Sequence, residues 1–204
     1  MKKIFIPVCV IAGLFLMAFK YVNNNEPVKD YIHVPGPIKF NNASFELAWS
    51  SHPADNYYKQ EYLVKGDSIN HFNKMVLLDV LNDTVKPRDL VYRKIRSLDQ
   101  RKKTDAVIQY NLIQSPDSSE YILDFVVSEG TPKINMVEWN AYRYLSFTNK
   151  AGRKGVLLFG ISIHTYGNKI TDFFGSLRDV RESVTNQLIG YQIPPISITD
   201  THQK

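Results

Sequence analysis

The chain is almost free of cysteine, since its single cysteine, Cys9, lies in an apolar segment near the N-terminus. One cysteine cannot form an intramolecular disulfide, and it cannot supply the thiolate set of a structural zinc site. The chain beyond residue 22 contains no cysteine that could act as a nucleophile. The sequence therefore excludes a disulfide scaffold, a zinc-thiolate site and cysteine-based catalysis in that part.

Familiar catalytic and nucleotide-binding motifs are missing as well. The sequence has no G-x-S-x-G, no Walker-type phosphate loop, no G-x-G-x-x-G and no H-E-x-x-H. Histidines at helical spacing, which could share a metal, do not occur among His33, His52, His71, His164 and His202. We therefore predict no catalytic residues, no cofactor and no metal.

An excess of positive charge is confined mainly to the N-terminus. The chain has 25 basic and 20 acidic residues, and Lys2, Lys3 and Lys20 lie in a stretch that contains no acid. Removing these three leaves 22 basic residues against 20 acidic ones, a net charge of +2. So small an imbalance gives no electrostatic reason to expect a nucleic-acid partner.

The N-terminus holds the long apolar run of the chain. Two lysines precede an uncharged stretch over residues 4–19. A basic start with an apolar core is typical of a secretory signal, and a span needs about 20 residues. We predict that residues 1–22 are a signal peptide or a membrane anchor, with residues 4–22 as the possible tether. A cleaved signal and an inner-membrane anchor both remain open, and either places the rest of the chain in the periplasm or outside the cell.

The remaining sequence predicts one domain between a linker and a tail. Asparagines and prolines make residues 23–41 a predicted linker, and residues 191–204 are a predicted tail. Residues 42–190 have the length of a single globular domain. Apolar periodicity predicts strands near 45–50, 57–64, 75–81, 107–113, 121–127, 137–147 and 156–166, and helices near 87–103 and 173–190.

Short connections between consecutive strands favour hairpins, so the sheet is predicted to be largely antiparallel. We predict an α+β fold in which about six or seven strands form the sheet and two amphipathic helices pack on one face. Residues 68–78 leave two interpretations open, a strand or a helix. The layout is loosely similar to PsbP/Mog1-like domains, and a likeness of fold implies no function.

The segment WSSHPADNYYKQEY, residues 49–62, concentrates aromatic and ionisable side chains. Turn residues in its middle predict a hairpin, with Trp49 in the core. His52 lies just before the turn, where a histidine could be accessible as a base. Period two places Lys59 and Glu61 on the same face, so we expect a surface ion pair there.

A second candidate is EWNAYRY, residues 138–144, on a predicted strand. Alternation places Tyr142 and Tyr144 on one face, and His164 and Tyr166 share a face of the next strand. Polar aromatic faces suit contact with a ligand or a protein. The candidate binding residues are His52, Tyr142, Tyr144, His164 and Tyr166.

The helix predicted over residues 87–103 is rich in basic residues. They are Arg88, Arg93, Lys94, Arg96, Arg101, Lys102 and Lys103. This surface could contact anionic lipid, or it could be an ordinary solvated face that keeps the protein soluble.

WSSHPADNYYKQEY, EWNAYRY and the GVLLFGIS strand together resemble exported bacterial proteins that are uncharacterised, over about residues 43–190. This resemblance implies no activity and no site residue. The leader and the missing motifs favour a non-enzymatic exported or membrane-tethered domain that binds a protein or an envelope component. The alternative is a small hydrolase or ligand-binding enzyme that uses His52 or His164 with Glu61 or Glu138.

Overall fold

A computed structural model describes residues 27–130, 132–149 and 152–198. The predicted leader over residues 1–22 lies outside the described residues, so a signal peptide or an anchor there stays a prediction. Within the described ranges, neither helix combines the length and the hydropathy needed to cross a membrane.

Eight strands form one antiparallel sheet, and two α-helices pack against it. The strands are β1 (Ile38–Phe40), β2 (Ala43–Ala54), β3 (Tyr57–Val64), β4 (Lys74–Leu81), β5 (Gln109–Gln114), β6 (Glu120–Glu129), β7 (Met136–Thr148) and β8 (Lys154–Tyr166). The helices are α1 (Pro87–Arg101) and α2 (Ile170–Gly190). The predicted mixed fold and antiparallel sheet are confirmed, but the predicted number of six or seven strands is wrong.

Strand β1 accounts for the difference, and it lies in the segment that was predicted to be a linker. It pairs with β2 at the sheet edge, where the flanking Pro37 removes no ladder hydrogen bond. Four side chains of this segment are buried in the core, namely Ile32, Val34, Ile38 and Phe40. Residues 31–41 therefore belong to the domain rather than to a linker.

Part of the predicted tail is also ordered against the domain. The Ser197 amide donates to the Ile32 carbonyl at 3.0 Å. Ile193, Ile196 and Ile198 pack on the same core as Ile32. The two ends of the described chain thus cover one region of the sheet together.

The sheet consists of two meanders joined in the middle. The strand order is β1-β2-β3-β4-β8-β7-β6-β5, and β4 pairs with β8 where the meanders meet. Because residues 74–81 form a strand, the strand interpretation is confirmed there and the helical interpretation of residues 68–78 is wrong. Successive residues of β4 point to opposite faces of the sheet, so Val76 belongs to the core on one face and Leu77 to the core on the other.

The two helices lie on opposite faces of the sheet, so the prediction that both cover one face is wrong. Helix α2 packs on the core that contains Trp139, whereas α1 packs on the core that contains Tyr144. These two residues are an odd number of positions apart on β7, so their side chains point to opposite faces. Strand β6 is buried at successive positions over residues 121–127, which requires a cover on both sides. We call the two sides the α1 face and the α2 face.

Two arginines fix α2 on its face. Arg181 Nε donates to Oδ1 of buried Asp124 at 2.6 Å, and Trp139 Nε1 donates to the same oxygen at 3.3 Å. At the end of the helix, Arg143 Nη1 donates to the Leu188 carbonyl at 2.9 Å. The same carbonyl accepts from the Tyr191 amide at 3.3 Å, so the arginine adds a second donor at the C-terminal end of the helix.

Gly155 provides a test of the close approach between β8 and the end of β4. A Cβ at this position would overlap the Leu81 carbonyl oxygen, a backbone atom that cannot move aside on its own. We expect Gly155→Ala to lower the free energy of unfolding by about 1–3 kcal/mol. Urea denaturation measures the change.

Gly175→Ala is the matched control, because a Cβ at Gly175 in α2 meets no atom within 4 Å. Alanine there should raise the stability by about 0.5–1 kcal/mol through its helix propensity. Equal effects of the two substitutions would contradict the close approach.

Candidate functional site

Four of the five predicted binding residues share the α1 face, whereas His52 lies on the other. The register of β7 with β8 places Tyr142 and Tyr144 on the same side as His164 and Tyr166. The ring of His52 instead stacks on Tyr58 of the α2-face core, with centroids 4.3 Å apart. The structure therefore separates His52 from the other four residues.

A β-bulge changes the face of Trp49. Leu47 pairs with Tyr62, but Trp49 pairs with Glu61, so one extra residue is inserted in β2 between the two pairs. The insertion turns Trp49 to the α1 face beside Glu61, where it is half-buried. The prediction that Trp49 fills the core is wrong, and the fully buried tryptophan is Trp139.

His164 is the centre of a cluster that joins β7, β8 and the loop before β4. Its Nε2 lies 3.0 Å from Glu138 Oε2, and its Nδ1 lies 2.9 Å from the Tyr166 hydroxyl oxygen. That hydroxyl donates to the Phe72 carbonyl at 3.1 Å. The Phe72 ring stacks on His164 at 4.0 Å, and the His71 ring stacks on Tyr166 at 4.5 Å. We call the four rings of His71, Phe72, His164 and Tyr166 the ring patch.

The contacts of the cluster involve both ring nitrogens of His164. The Tyr166 proton points to Phe72, so the Tyr166 oxygen accepts the Nδ1 proton. Although burial favours neutral Glu138, the hydrogen bond and charge of His164 hold the pKa of Glu138 below its ordinary value. Both ring nitrogens of His164 therefore have partners within the cluster, which leaves neither of them open to a substrate.

Tyr142 and Tyr144 lie on the same face but outside the ring patch. Tyr144 is 3% exposed and belongs to the core beneath α1, so it is closed to a ligand in this arrangement. The Tyr142 ring lies over Gly160, and its hydroxyl donates to Asn140 Oδ1 at 2.8 Å. Ser162 Oγ donates to the same oxygen at 2.5 Å.

Lys94 of α1 is an ionisable group on this face that sequence reasoning did not single out. Its Nζ lies 4.6 Å from the ring centroid of Phe125, and among the described residues no carboxylate lies within 4.0 Å. Burial lowers the pKa of Lys94. A sequence signal exists, because Lys94 follows Val91 by three residues and precedes Leu98 by four, which places it on the buried stripe of the helix.

Glu61, which the sequence placed on the surface, is a second buried ionisable group on this face. It is 3% exposed, and burial raises its pKa to about 7. Lys59, its expected partner, lies instead 3.5 Å from Asp79 on β4. The prediction of a surface ion pair between Lys59 and Glu61 is therefore wrong, because Asp79 of β4 lies directly opposite Lys59.

The basic surface of α1 is smaller than the sequence indicated. Lys94 faces the sheet, and Arg101 and Lys102 pair with neighbouring acids. The other arginines line a shallow depression of about 400 Å³ that one helix alone forms, with Arg88, Asp89, Tyr92, Arg93 and Arg96 around it. Across the described ranges, no three His, Cys, Asp or Glu side chains converge to hold a metal.

Glu61 should make the stability depend on pH. Its ordinary pKa is 4.5 and its folded pKa is about 7, so between these values the folded state binds more protons than the unfolded state. The contribution of Glu61 to stability is therefore full below pH 4.5 and is lost as the pH rises through 7. The difference between the two pKa values limits this loss of stability to about 3 kcal/mol.

The measurement is urea denaturation across this pH range. Glu61→Gln should flatten the fall in stability relative to the unsubstituted chain, because glutamine does not titrate. Glu46→Gln, at an exposed position of neighbouring β2, should leave the pH dependence as it is. The same slope for Glu61→Gln and the unsubstituted chain would show that Glu61 does not carry the effect.

Of the comparisons with known proteins, one gives a match. No curated protein matches the chain, and no solved structure matches it. A family model matches residues 32–193, which begin at the buried Ile32 and end just after α2. The chain therefore belongs to this family, which is uncharacterised and has no named function.

Proposed function

We propose that the protein is a non-enzymatic domain that binds another protein or an envelope component through the ring patch. The observation that supports this most is the stacking of four rings from β8 and the loop before β4, in which buried Phe72 supports the half-buried or exposed rings of His71, His164 and Tyr166. Aromatic side chains are enriched where proteins contact partners. Rings that are already held by neighbours lose little conformational freedom on binding.

The internal bonding of the ring patch favours a partner that contacts ring faces. Both nitrogens of His164 and the hydroxyl of Tyr166 are engaged within the cluster. Glu138 Oε2 lies 3.0 Å from His164 Nε2 and takes up that nitrogen. Recognition would then depend mainly on shape and apolar contact, with His71 as the exposed polar group.

The proposed location rests on the sequence of residues 1–22. A signal peptide would release the domain outside the cytoplasm, and an anchor over residues 4–22 would tether it to the membrane. An envelope component or an exported protein would be within reach in both cases.

The alternative is a small hydrolase, and the contact of His164 with Glu138 favours it. A histidine held by a carboxylate is the arrangement that general-base catalysis uses. It requires a free ring nitrogen, however, and here Tyr166 occupies the second one. Hydrolysis of activated esters that His164→Gln abolishes would support the alternative over binding.

A photo-reactive phenylalanine analogue at position 71 tests the ring patch in cells of the source organism. We expect a discrete cross-linked adduct with the full chain, since His71 lies at the exposed side of the ring patch. Tyr166→Phe in the same chain should weaken the adduct, because it removes the hydroxyl that holds His164 and the Phe72 backbone. Mass spectrometry identifies the partner.

The analogue at position 174 is the control, because Phe174 is an exposed aromatic residue on α2. It should give no adduct of the same mass. Thermal unfolding of each variant checks that the fold is retained. The absence of an adduct at position 71, or the same adduct at position 174, would contradict the proposal.

A further inference from the structure

A second concave surface lies between the β1–β2 turn and the end of α2. It is an open depression of about 730 Å³, lined by residues 39–44 and by residues between 186 and 192. Phe40 and Tyr191 at this surface belong to the α2-face core, so the pocket lies on the opposite side of the sheet from the ring patch. We call it the amide pocket, for its five carboxamide side chains of Asn41, Asn42, Asn186, Gln187 and Gln192.

The chemistry of the lining is neutral and rich in hydrogen-bonding groups. Five carboxamides and Ser44 surround the amide pocket, with no carboxylate and only Lys39 as a charged residue. Each carboxamide offers both a donor and an acceptor, and it does not titrate. Such a lining matches a ligand that carries many uncharged donors and acceptors close together, as the hydroxyl groups of a sugar do.

Much of this hydrogen-bonding capacity is unused within the protein. In the described part of the chain, the side chains of Asn42, Asn186 and Gln192 have no intramolecular hydrogen bond. Asn41 Oδ1 accepts from Lys74 Nζ at 2.7 Å, which fixes the amide and leaves its NH₂ group as a donor. The pocket therefore offers groups that a ligand can satisfy.

The floor of the amide pocket is aromatic and fixed in place. The Tyr191 ring stacks on Phe159 with centroids 4.6 Å apart, and it meets Phe40 edge-on at 5.2 Å. Arg143 Nη1 donates to the Tyr191 carbonyl at 3.1 Å, which holds the backbone at the end of α2. An aromatic floor beneath polar walls suits the C–H surface of a sugar ring.

We propose that the amide pocket binds an uncharged saccharide. Its walls supply the donors and acceptors for the hydroxyl groups, and the half-buried Tyr191, supported by buried Phe40 and Phe159, supplies the apolar contact. The site is separate from the ring patch, so a protein partner and a saccharide could be bound together.

The test is a titration of the full chain with three neutral disaccharides, cellobiose, maltose and N,N′-diacetylchitobiose, followed by amide chemical shifts. At least one of them should give saturating shifts confined to residues 39–44 and 186–192. Gly190→Leu should raise its dissociation constant about tenfold or more, because the new side chain enters space with no atom within 4 Å of the added Cβ.

Gly175→Leu is the matched control, since it adds the same side chain to the same helix, also at an open position. It should leave the dissociation constant unchanged. The proposal is overturned if none of the three disaccharides shifts these residues at millimolar concentrations, or if Gly190→Leu binds as tightly as Gly175→Leu. Either failure leaves the cross-linking result at position 71 untouched, so the two proposals are judged separately.

Discussion

The pairing of β7 with β8 is the constraint on which the rest of the structure depends. Thirteen residue pairs join these two interior strands of the sheet. This register places Glu138 opposite His164 and Tyr142 opposite Gly160, where a larger residue would meet the tyrosine ring. A slip of one residue would exchange the faces of every side chain on the strand. The cores under α1 and α2 and the ring patch therefore all require the same register.

The buried ionisable groups on the two faces of the sheet differ in whether they have an oppositely charged partner. On the α2 face, buried Asp124 is neutralised by Arg181, which at the same time attaches the helix. On the α1 face, Glu138 has His164. Glu61 is buried and Lys94 is half-buried, and among the described residues neither has an ion pair within 4.0 Å. An unpaired buried charge is costly, so these groups shift towards their neutral forms. The α1 face thus holds the two ionisable groups, Glu61 and Lys94, whose pKa values are shifted mainly by burial.

Periodicity predicts most of the fold, and its failures have local causes. Seven strands and both helices follow from apolar spacing, but β1 has only three residues between proline and a turn, too few to show alternation. A bulge is also invisible to alternation, which is why Trp49 was placed on the wrong face. The helices on opposite faces were predictable, because β6 is apolar at successive positions and not only at alternate ones. The contact of His164 with Glu138 could not be predicted without the pairing register of β7 and β8. The contacts of His71 and Phe72 come from a loop, where the sequence has no regular apolar spacing to read.

The two candidate surfaces differ in how much hydrogen bonding they leave unused, and this difference separates the ligands they suit. The ring patch uses the polar atoms of His164 and Tyr166 internally, so it presents ring faces to a partner. The amide pocket keeps polar walls around an aromatic floor. Ring faces select by shape and apolar area, whereas open amides select by the pattern of donors and acceptors. One sheet can therefore carry both surfaces on opposite faces, with each selecting its own class of ligand and neither obstructing the other.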